Sequence, residues 1–162
     1  MSEISELTEK LRAEGEKIVK YFEGLKDEQW AIEIYTEEAN WAIRDILAHL
    51  MSSEQAFVKL FENIRQGGIG VAGDFEIDRY NARQQEKTKE LGVLELIRLY
   101  KSERGNMIKW ISGIKESDLK KTGRHPFLGQ TTLREMIRMV YLHNQIHCRD
   151  IKIALNRFVQ PY

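Results

Sequence analysis

The chain has one cysteine, two prolines and no surplus of charge of either sign. Each shortage excludes something. The lone thiol, Cys148, cannot close an internal disulfide, so a reducing, cytoplasmic setting is expected. Prolines only at Pro126 and Pro161 leave everything before Pro126 free of the strongest helix breaker. Lysine plus arginine and aspartate plus glutamate both number 25. That balance removes the basic excess that nucleic-acid binding draws on, and the polybasic face that docks on anionic membranes. It also leaves little self-repulsion to oppose a homodimer. No run reaches the roughly 20 apolar residues of a membrane span. The N-terminal MSEISELTEK carries no signal-peptide core. Neither strand-type alternation nor an internal repeat is visible.

What is present is helical periodicity. Ile4, Leu7, Leu11, Ile18, Phe22 and Leu25 form one stripe at spacings of three, four and seven. Asn40 reads as the N-cap of a second helix carrying Trp41, Ile46, Leu50, Phe57, Phe61 and Ile64. The cluster Gly67-Gly68-Ile69-Gly70 ends that helix and predicts a flexible loop. The charged stretch from Asp74 to Glu90 lacks an apolar period and reads as a surface helix. A third core helix carries Leu94, Ile97, Tyr100, Met107, Ile111 and Ile114. Thr132-Leu-Arg-Glu135 has the form of a capping box opening a last helix through Ile137, Val140, Ile151 and Leu155. The expectation is therefore all-α. One domain over residues 1–162 folds as a four-helix bundle with an additional short surface helix.

Three of the four histidines carry the chemistry. His143 and His147 stand four apart, which puts their Cβ atoms about 6 Å apart on one helical face. That face continues through Met136, Val140, Ile151 and Ala154, so both imidazoles interrupt a stripe aimed at the core. His49 stands three after Ile46 and beside Leu50, on the inward edge of the second helix. Buried imidazole nitrogens need partners, and one shared divalent metal satisfies all three residues at once. The same spacing serves H-E-x-x-H metalloproteases, but Asn144, Gln145 and Ile146 stand between the pair and the general-base glutamate is missing. Glu54 and Asp150 are candidates to orient the imidazoles through their distal nitrogens. His125, before a proline, reads as a structural loop residue, and Cys148 as a packing residue.

At these residues the chain resembles the DinB-like superfamily, named for a DNA-damage-inducible protein. The matching features are Trp41-Ala-Ile-Arg-Asp-Ile-Leu-Ala-His49-Leu50, then Glu54, a Tyr80-Asn81 pair, Pro126-Phe-Leu-Gly129-Gln-Thr-Thr-Leu133, and His143-x-x-x-His147. Together they span most of the chain. The resemblance implies a homodimeric four-helix bundle that binds a divalent metal through His49, His143 and His147. Relatives with known chemistry include S-transferases that conjugate a low-molecular-weight bacterial thiol to electrophiles. Another is a mycothiol-dependent maleylpyruvate isomerase, which resembles the family with a glutamate where this chain has His143. That departure weighs against the isomerase reading.

Three protein ligands leave a position open, the pattern of catalytic rather than structural sites. On zinc such a position takes a water with its pKa lowered to about 7, or a thiol that deprotonates outright. All-histidine ligation suits zinc, nickel or iron, and copper as well. The expected function is a metal-dependent transfer of a small thiol to an electrophile. Hydrolysis through metal-bound water, or a non-catalytic binding module for a metal or small ligand, are the alternatives.

Overall fold

The computed structural model describes residues 1–159. The elements run α1 (Glu3–Glu23), β1 (Glu33–Tyr35), β2 (Trp41–Ala42), α2 (Ile43–Arg65), α3 (Ile77–Thr88), α4 (Val93–Ser112), β3 (Thr122–His125), β4 (Gly129–Thr132) and α5 (Leu133–Val159). α1 starts where its sequence dictates. The Ser2 hydroxyl accepts from the Ser5 N–H, and Glu3 and Glu6 lie over the positive end of the helix dipole. α1 and α2 each pack on both α4 and α5, which makes the four-helix bundle. α3 leans on α2 from outside and buries only Thr88, as its charged sequence predicts.

The apolar stripes meet in two clusters. One, at the end covered by β1 and β2, contains Phe22, Ile46, Leu50, Tyr100 and Ile151. The other, at the β3–β4 end, contains Leu11, Phe61, Met107, Met136 and Val140. A large apolar side chain fully buried there contributes about 1.5–3 kcal/mol. Between the clusters every bundle helix turns polar: Glu14 on α1, Ser52 and Glu54 on α2, Arg104 on α4, His143 and Asn144 on α5. This middle layer holds the chemistry.

Four local expectations are corrected. First, two antiparallel hairpins exist although no alternation announced them. β1 pairs with β2 across a register shift, and β3 pairs with β4 from Thr122↔Thr132 to His125↔Gly129. β3 reads Thr-Gly-Arg-His and buries its glycine and its histidine, so inside and outside do not differ as apolar and polar. Second, α2 begins at Ile43, and Asn40 does not cap it. The N–H groups of Ile43 and Arg44 are instead taken by the carbonyls of Ile32 and Trp30, and Asp45 accepts from the Ala42 N–H. Third, the glycine loop after α2 is pinned. Gly70 (φ +87°) bridges to Arg124 so closely that a Cβ there would stand 2.5 Å from the Arg124 nitrogen. Of the capping box, the Thr132 half forms, accepting from the Glu135 N–H at 3.2 Å, while the Glu135 carboxylate goes to Arg138.

Candidate metal centre

α2 and α5 face each other across the middle layer and bring three imidazoles together. The Nε2 of His143 lies 3.0 Å from the Nε2 of His49 and 3.0 Å from that of His147. The rings stand nearly perpendicular to one another, at 80° or 81°. Two nitrogens 3.0 Å apart, each about 2.0–2.1 Å from one ion, subtend roughly 91–97° at it. Ligand atoms of all three residues lie within 4.8 Å of one another, so the donor set suits a single divalent ion. Desolvation is the main cause that pushes His49 down to about 3, His143 to about 2 and His147 to about 4. All three are neutral at ordinary pH, which is the ligating form of imidazole.

Tyr35 fixes the third imidazole, His147. Its hydroxyl donates to Asp150 Oδ2 at 2.6 Å and lies 2.8 Å from His147 Nδ1. A hydroxyl that gives its one proton to a carboxylate can only accept from the imidazole. The ring proton of His147 therefore sits on Nδ1, and the lone pair of Nε2 points at the other two histidines. Asp150, expected to orient an imidazole, reaches His147 through this hydroxyl. By sequence Tyr35 is a residue of the loop after the first helix, 112 residues before His147, and nothing in that segment's spacing points to this partner.

Glu54 is not in this constellation. Both of its oxygens accept from Arg104, at 2.9 and 2.8 Å, in a pair 1% and 5% exposed. Arg104 also donates to the Leu11 carbonyl, the Tyr100 hydroxyl and Asn144 Oδ1. Gly15 makes room for it, since a Cβ there would stand 3.0 Å from Arg104 Nη1. The signal was available: a lone arginine in the apolar stripe of α4, four after Tyr100 and three before Met107, demands a buried anion.

His125 stands apart from the other three histidines, on β3. Its ring stacks on Phe57 at 5.5 Å, and its Nδ1 accepts from the backbone N–H groups of Phe127 and Leu128. It shapes the β3–β4 turn, as expected of a structural residue. Its Nε2 and the Nδ1 of His143 are buried without a hydrogen-bond partner among the described residues. Cys148 is buried in the core, where desolvation raises its thiol.

A cleft of about 510 Å³ between α2, α3 and the β3–β4 turn reaches His49. Phe57, Phe75, Tyr80 and Phe127 wall it, and Lys59 and Lys87 are its charged lining residues. A second cleft of about 760 Å³, beside Tyr35 and Trp41, is lined by Glu37, Glu38 and Asp78. Asn81 lines both.

The family model described as the DinB superfamily matches residues 10–151. No curated protein matches the chain. Similar solved structures include YfiT from Bacillus subtilis, described as a probable metal-dependent hydrolase with an unusual four-helix bundle topology. Its TM-score is 0.77 at 14% identity, over 99% of this chain and 91% of that one. The mycothiol-dependent maleylpyruvate isomerase aligns with a TM-score of 0.74 at 12% identity, over 93% of this chain but 61% of that one. The colibactin self-resistance protein ClbS, solved in complex with a dsDNA, gives 0.72 at 11% identity over 100% and 98%. At these identities the likeness speaks for the fold.

Proposed function

The chain belongs to the DinB superfamily, and from that premise we propose that it is a divalent-metal-dependent transferase joining a small thiol to an electrophile. The observation that carries this is the gathering of three neutral imidazoles, with ligand atoms within 4.8 Å of one another, beside an open cleft. His49, His143 and His147 would hold the ion, and Tyr35 with Asp150 orients His147. With three protein ligands, the group would supply a Lewis-acid position that lowers the pKa of a thiol or water.

A bound divalent ion would lower the pKa of water and of a thiol alike, but a thiol, with an ordinary pKa near 8.5, starts far closer to its anion than water does. No carboxylate stands among the residues lining the cleft to assist deprotonation there, and the more acidic thiol needs that help less. The net reaction is RSH plus R′–X giving RS–R′ and HX, the thiol proton leaving with the displaced group. Hydrolysis is the second reading, favoured by the likeness to YfiT.

The partners follow the same logic. The likeness to ClbS in its dsDNA complex means that the fold is compatible with nucleic acid, but the balanced charge of this chain speaks against it. Among the described residues no helix is long and apolar enough to cross a membrane. A homodimer is proposed through the outer stripe of α5, where Leu142, Ile146 and Ile153 are exposed.

Elemental analysis of protein purified without a chelating tag is expected to show one metal per chain. The same measurement on a His49→Ala/His143→Ala/His147→Ala variant is expected to show none, and full metal content in that variant would overturn the site. Thiol-dependent turnover of a chromogenic electrophile by the metal-loaded protein supports the transferase. Ester or amide hydrolysis without thiol dependence transfers the reading to hydrolase, and saturable ligand binding with neither activity to a binding module.

A further inference from the structure

The two clefts beside the histidines have opposite character. In a chain of zero net charge, Lys59 and Lys87 line one, while Glu37, Glu38 and Asp78 line the other. α3 separates them, with Asn81 lining both. Lys59 and Lys87 are exposed, and neither forms an ion pair among the described residues. Lysines near carboxylates pair with them elsewhere on this surface, as Lys89 does with Glu86 and Lys121 with Asp118. Around the basic cleft that pairing partner is missing from the lining altogether.

Its floor and walls are aromatic. Phe75 and Tyr80 face each other at 5.6 Å on one side, and Phe57 and Phe127 meet at 6.2 Å on the other. Phe75 and Phe127 remain 37% and 42% exposed, apolar surface that a ligand would cover. A volume of about 510 Å³ lies within the range of small-molecule sites.

We propose that this cleft binds a small carboxylate with an aryl or alkyl body, the body between the aromatic walls and the carboxylate at Lys59 and Lys87. Field of one sign in a cleft concentrates ligands of the other, and the acidic cleft across α3 repels the same group. The occupant's inner end then meets His49. Naming it the electrophile of the transfer reaction rests on the proposed function; the binding preference does not.

The test is calorimetric, on the metal-loaded full chain, with phenylacetate, phenylacetamide and phenethylamine as probes. In a Lys59→Gln/Lys87→Gln variant of unchanged metal content, phenylacetate is expected to bind about tenfold more weakly while phenylacetamide is unaffected. A Phe127→Ala variant is expected to weaken both. Phenylacetate affinity unchanged by loss of the lysines, or an equal fall for the amide, overturns the proposal, as does phenethylamine binding as tightly as the acid. The ion contributes equally to wild type and the lysine variant, so its own attraction for carboxylate cancels. Metal binding and thiol turnover without the lysine effect would remove this inference and leave the proposed function standing. The lysine effect without turnover would do the reverse.

Discussion

The Arg104 cluster and the histidine cluster interrupt the core of the same bundle at the same level, and they differ in how their polar atoms are satisfied. Around Arg104, donors meet acceptors throughout: guanidinium to Glu54, to the Leu11 carbonyl, to Tyr100 and to Asn144, with Tyr100 donating to Asn144 in turn. Around His143, three ring nitrogens crowd together with contacts of 3.0 Å to His49 and to His147, a single ring proton cannot serve both contacts and Nδ1 at once, and the distal Nδ1 has no partner. A buried network closed on itself holds a fold in register. One whose atoms converge without closing is arranged for something that is not protein. Burial and sequence distance are alike in the two cases, so neither would have separated structure from function here.

The contrast breaks most visibly at Arg104. Arg104→Met leaves the Glu54 carboxylate buried and unpaired, and is expected to cost about 3–5 kcal/mol in urea denaturation. Metal content per folded chain should stay at the wild-type value. The triple histidine variant is the other arm: it should lose the ion, while in the presence of chelator its stability falls only by the packing of the truncated rings and the lost Tyr35 contact, with no buried charge left unpaired. If Arg104→Met lost the metal instead, the two clusters would be one.

A smaller effect is expected at Tyr35. Tyr35→Phe frees the tautomer of His147 without opening the core, and metal affinity by competition with a chromophoric chelator should fall roughly 10–100-fold. An unchanged affinity would take Tyr35 and Asp150 out of the site.

The smallest effect concerns pH. Burial lowers the pKa of His125 from 6.5 to about 4, so between those values the unfolded chain takes up a proton that the native chain refuses. Stability contributed by the neutral ring is complete above pH 6.5 and declines as pH falls toward 4. His125→Gln should flatten the stability–pH slope across that window by about 1–2 kcal/mol. A slope identical to wild type would mean that the ring is hydrated.

Helical spacing makes the bundle and the meeting of the three histidines readable, because period and face are local properties of a helix. His143 and His147 reveal themselves four residues apart, and His49 by its place beside Leu50. The strands escaped notice because β3 hides a glycine and a histidine rather than two apolar residues. Glu54 was placed at the wrong cluster because proximity along α2 says nothing of the neighbour across the bundle. Its actual partner, Arg104, sits 50 residues away. Tyr35 could not be found at all, since its role depends on a loop folding back over α5.

That loop carries a kinetic consequence. The hydroxyl that sets the proton on His147 arrives on a hairpin of three residues paired with two, not on a bundle helix. Such a hairpin opens locally far more often than the core unfolds. An ion held at this centre would therefore lose the fixed orientation of His147 whenever β1 frays from β2, without any unfolding of the bundle.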